Sequence, residues 1–114
     1  MQYLTPSTEA ELLAVYGPER LDALLALAVP YLDAGVLVVR GFGTFEHPAL
    51  DGPQPIGQAT DGEWVWPLVA ARLFEARAAW PPAAFLDHVA VSKVPPAELD
   101  DATKAEAVEV AKQG

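Results

Sequence analysis

Glu46, His47 and Asp51 form the densest group of side chains in this sequence that could do acid–base or metal chemistry. A carboxylate beside an imidazole can pass a proton or help hold a cation. Prolines at 48, 53 and 55 and the Asp51-Gly52 pair mark the stretch from Glu46 to Pro55 as an ordered loop or a flexible connection. The same residues also suit a solvated turn in which His47 precedes a proline. The second histidine, His88, adjoins Asp87 in what reads as a helix-surface pair, and neither histidine belongs to a recognised metal spacing. Ser7 and Ser92 lack a nucleophile elbow, and there is no cysteine to replace them. Gly41-Phe42-Gly43 follows a strand as a dinucleotide fingerprint would begin, but the third glycine is missing, position 46 is Glu and no long helix follows. No catalytic residue, cofactor site or metal site is therefore assigned, and the alternative of a small ligand-binding or enzymatic domain places its site in the loop 46–55.

Charge points to binding rather than catalysis. Asp plus Glu number 16 against 7 Lys plus Arg, a formal net charge of −9. Nucleic acid is an unsuitable partner, because phosphate contacts need clustered basic residues and those here are scattered from Arg20 to Lys112. A basic protein partner fits, since complementary charge speeds encounter and suppresses wrong partners. Acidity also keeps a chain soluble without any partner. The apolar run Ala23–Val29 is too short to cross a bilayer and is followed by Pro30, and the first residues lack a secretory pattern, so a cytoplasmic location is expected.

The elements that must position these residues read as an α+β fold. With 114 residues, 52% of them hydrophobic, the chain can bury one core. Residues 1–91 are expected to form a single globular domain, and 92–114 a peripheral helical segment, lying on it or partly disordered. Thr5 and Pro6 suit the cap and first position of a helix that Gly17 ends. Leu21, Leu24, Leu25, Ala28 and Leu32 mark the buried stripe of a second, whose last turn Pro30 should kink or separate. Val36–Arg40 is a continuous β-branched run, expected to be a central strand buried on both faces.

A small antiparallel sheet of about three strands is expected at 36–45, 56–60 and 63–66. The last two form a hairpin around a type I′ turn at Asp61-Gly62 that pairs Thr60 with Glu63 and Ala59 with Trp64. That register puts Trp64 and Trp66 on one face, either in the core or as an exposed aromatic patch. Pro67 suits the first position of a helix with Val69, Leu73, Ala76 and Trp80 on its stripe, and a shorter helix or turn over 83–89 adds Phe85, Leu86 and Val89.

Asp61-Gly62-Glu63-Trp64-Val65-Trp66-Pro67, an apolar helix and then Pro82-Ala83-Ala84-Phe85-Leu86 resemble a pattern in small bacterial proteins of immunity type, across residues 57–89. The chain departs from that pattern after Pro67, where Ala70, Ala71 and Arg72 stand in place of an aromatic pair. The resemblance implies a protein that neutralises a toxin encoded beside it. On that reading the partner-binding residues are Glu46 and Asp51 in the long loop and Asp61 and Glu63 at the hairpin. A third reading makes the C-terminal helix the docking element of an accessory domain.

Overall fold

In the computed structural model, which describes residues 1–114, Thr8 rather than Thr5 caps the first helix, α1 (Glu9–Tyr16). Its hydroxyl accepts the Glu11 N–H at 3.2 Å, and Ser7 Oγ donates to the Glu11 carboxylate at 2.6 Å. Thr8 has Glu three residues ahead, as a capping box needs, whereas Thr5 does not. Helix α2 (Pro18–Asp33) runs through Pro30 as one element, because the proline falls in the last turn and its carbonyl still accepts from Ala34.

The α+β fold contains four strands rather than about three, β1 (Gln2–Tyr3), β2 (Val36–Phe45), β3 (Gln54–Thr60) and β4 (Trp64–Pro67), in the order β1-β4-β3-β2. Strand β1 pairs parallel to β4, so the sheet is mixed. Two residues are too few to show a periodicity, and only tertiary contact makes them a strand. Val36–Arg40 lies on the sheet edge instead of its centre, paired only to β3 and nowhere fully buried. Its β-branched residues carry strand preference, but preference does not distinguish an edge from a centre.

The hairpin turn is also not type I′. Only Gly62 has positive φ (97°), whereas that turn needs both central residues there. The Asp61 carboxylate accepts the N–H groups of Glu63 (2.9 Å) and Trp64 (2.8 Å), closing a wider turn. The register is consequently Thr60 with Val65, Ala59 with Trp66 and Gln58 with Pro67. This is a slip of two residues, which preserves the faces: Trp64 and Trp66 both enter the core.

Pro67 ends β4, and the next helix, α3, is confined to Ala70–Glu75. It stops where Arg77 takes φ 57° and Ala78 N–H reaches the Leu73 carbonyl at 2.9 Å, a left-handed cap that a sequence without glycine does not announce. Helix α4 (Ala83–Ser92) follows, with Phe85, Leu86 and Val89 buried as expected. The helices α1 to α4 cover one face of the sheet around Tyr31, Trp64, Trp66 and Phe85. The Trp66 indole donates to the Leu32 carbonyl at 3.2 Å and lies over Gly35.

Val65 points to the other face by strand alternation and is fully buried there. The C-terminal segment supplies the cover. Helix α5 (Asp101–Gln113), capped by Asp100, lies against all four strands and buries Ala107. No helix is long and apolar enough to cross a membrane.

Candidate functional site

Tyr31 on α2, Asp61 in the β3–β4 turn and His88 on α4 converge between the helices and the end of the hairpin. Asp61 Oδ2 accepts from the Tyr31 hydroxyl at 2.6 Å and lies 2.7 Å from His88 Nε2. Its other oxygen holds the two backbone N–H groups of the turn, so both carboxylate oxygens are used. On the outer side His88 Nδ1 lies 3.0 Å from the Glu63 carboxylate, which is otherwise open to solvent. Asp61 is only 5% exposed. The sequence places it among the partner-binding carboxylates, but the turn that it closes draws it inward.

Burial alone would raise the Asp61 pKa, but the hydrogen bonds from Tyr31, from the Glu63 and Trp64 amides and from His88 outweigh it and hold the carboxyl below its ordinary range. Burial, the hydrogen bond to Asp61 and the charge of that carboxylate push the Tyr31 hydroxyl well above its ordinary value. An Asp–His pair can orient an imidazole for general base work. Here the second ring nitrogen faces Glu63, and none of the five concavities of the molecule is lined by Tyr31, Asp61 or His88. What the cluster does is tie α2, α4 and the hairpin together. Its sequence signal was faint but present: His88 shares a helical stripe with Phe85, Val89 and Ser92, and Tyr31 continues the stripe of Leu24 and Ala28. A polar tip on a buried stripe implies a buried partner, and only folding shows that the partner is Asp61.

The loop residues lie at the far end of the β2–β3 ribbon. Glu46, His47, Leu50 and Asp51 line an open, mostly polar concavity of about 480 Å³. His47 Nδ1 accepts the Ala49 N–H at 3.1 Å, and the His47 carbonyl accepts from Leu50 at 3.0 Å, so this histidine closes its own turn. Glu46 and Asp51 are exposed and enter none of the ion pairs. Four of the seven basic side chains are already engaged elsewhere, Arg72 with Asp33, Arg77 with Asp22, Lys104 with Asp101 and Lys112 with Glu109. The structure thus brings Glu46 and Asp51 together and leaves Glu63 apart from them, beside His88.

Phe42 carries no periodic or motif signal in the sequence that marks it out. Between the pairs Arg40–Gly57 and Thr44–Pro55, β2 carries two residues more than β3, and the excess forms a bulge. Gly43 in it has φ 74°, and a Cβ on Gly41 would collide with the Ile56 side chain. Phe42, between these glycines, is 100% exposed. Ile56 in turn lines an apolar groove of about 310 Å³ with Phe45, Pro55, Leu68 and Val69.

No protein-family model, curated protein or solved structure matches this chain. Its chemistry has to be read from its own side chains. They offer a satisfied internal network, an acidic loop and one displayed aromatic ring, and no group of three or more His, Asp or Glu side chains is arranged to hold a metal ion.

Proposed function

We propose that this chain is a non-enzymatic acidic binding protein, an immunity or antitoxin protein that neutralises a basic toxin domain in the cytoplasm by occluding its active site. The observation that carries this reading is the pair Glu46 and Asp51, exposed and without ion pairs at the end of a ribbon, on a chain of net charge −9. Carboxylates so placed attract a basic cleft over distance and stand there in place of substrate phosphates. Glu63, exposed at the hairpin, adds to the same field, whereas Asp61 serves the fold. The resemblance of residues 57–89 to immunity-type proteins supports the same reading.

Co-expression with a basic toxin domain encoded beside this chain tests it. Growth should be restored, and a one-to-one complex should form whose association slows steeply with salt. If growth is not restored and no complex forms with any such domain, the proposal fails. A bound metabolite or ion in native mass spectra of the purified protein would favour the loop 46–55 as a ligand site instead.

A further inference from the structure

We infer that the β2 bulge is the centre of the partner interface, with Phe42 inserting into an apolar pocket of a basic protein while Glu46 and Asp51 pair with Lys or Arg at its rim. This inference rests on the function proposed above and adds the anchor residue and the chemistry of the surface that receives it.

The bulge is built so that one side chain is displayed. Gly41 lets the backbone press against Ile56, Gly43 supplies the left-handed φ, and Phe42 is the one side chain larger than hydrogen between them. A fully exposed phenylalanine on an edge strand is an aggregation hazard unless it is used. The bulge leaves that ring wholly in solvent, packed against nothing of its own sheet, and Phe45 and Ile56 of the same ribbon line an apolar groove. Aromatic residues at the middle of an interface carry much of its energy, with charged residues at the rim setting encounter and specificity.

Charge decides what the occupant is. A second copy would bring another net charge of −9 against Glu46 and Asp51, whereas a basic surface is complementary to both. Val91 and Val94, 84% and 72% exposed, come next after Phe42 among the exposed large apolar side chains, but Lys93 stands between them, and neither unpaired carboxylate of the 46–55 loop lies in that segment.

The test compares the full-length chain with F42A, with the double variant E46Q/D51N and with V91S as a control, titrated against the co-expressed basic toxin domain by calorimetry and stopped-flow at two salt concentrations. F42A should weaken binding about thirtyfold, mainly through faster dissociation. The double variant should slow association and flatten its salt dependence, and V91S should leave both rates alone. All variants should keep the wild-type melting temperature, because these side chains are exposed. If the wild type binds and F42A stays within about threefold of it, this inference fails and the proposed function stands. Self-association of the wild type that F42A abolishes would also overturn it, because the occupant would be a second copy. If the wild type binds no such domain, both fall.

Discussion

His88 Nε2 lies 2.7 Å from Asp61 Oδ2, joining helix α4 to the β3–β4 turn across 27 residues of sequence. The same oxygen holds the Tyr31 hydroxyl. One buried carboxylate therefore fixes the turn, through its backbone acceptors, and two helices, through their side chains. Buried networks of this kind are worth most when every member is satisfied, and no buried side-chain polar atom of this protein lacks a partner.

Replacing Asp61 should expose that dependence. In D61A the Glu63 and Trp64 amides lose their acceptor and Tyr31 its charged partner, at a cost of about 3 kcal/mol. Y31F keeps the ring in the core and removes one donor, at about 1 kcal/mol. Urea denaturation gives both numbers. If D61A proved no less stable than Y31F, the turn amides would not depend on the carboxylate.

The pH dependence follows from the same residues. Asp61 has a folded pKa below its ordinary 3.8, so its contribution to stability is complete above that value and is lost as pH falls through the lower folded one. Tyr31 is shifted the other way, and its contribution, complete below the ordinary 10.0, is lost as pH rises towards the higher folded value. Melting temperatures recorded from pH 7 to 2 should decline less steeply in D61N than in the wild type, and from pH 9 upward less steeply in Y31F. Parallel curves in either comparison would contradict the assignment.

Gly35 should not tolerate a methyl group. A Cβ there would sit inside the van der Waals surface of the Trp66 ring, which is itself fixed to the Leu32 carbonyl. G35A should therefore cost about 2 kcal/mol and alter the near-ultraviolet circular dichroism of the tryptophans. An unchanged spectrum and midpoint would mean that the indole can move aside freely.

The left-handed cap of α3 gives a comparison of two variants. R77A and R77G both lose the ion pair with Asp22 and the stacking over Trp80, but only alanine keeps the steric cost of φ 57°. R77G should be more stable than R77A by about 1 kcal/mol in thermal or urea unfolding. Equal stabilities would place the residue outside the left-handed region.

The sequence by itself determined most of the local elements and the faces they bury. Helical stripes place α2 and α4 and their core residues, strand preference places β2, and Asp61-Gly62 marks a turn, because periodicity and turn chemistry act over a few neighbours. The two-residue slip of the hairpin left Trp64 and Trp66 on their expected face, since strand faces repeat every second residue. Tertiary structure alone decided that β2 is an edge, that Gln2–Tyr3 is a strand and that α5 covers Val65. It alone turned Asp61 inward to Tyr31 and His88 and brought Phe42 outward. The reason is that pairing order and the partners of buried polar groups depend on residues distant in sequence. A carboxylate beside glycine reads alike whether water or a buried hydroxyl will meet it.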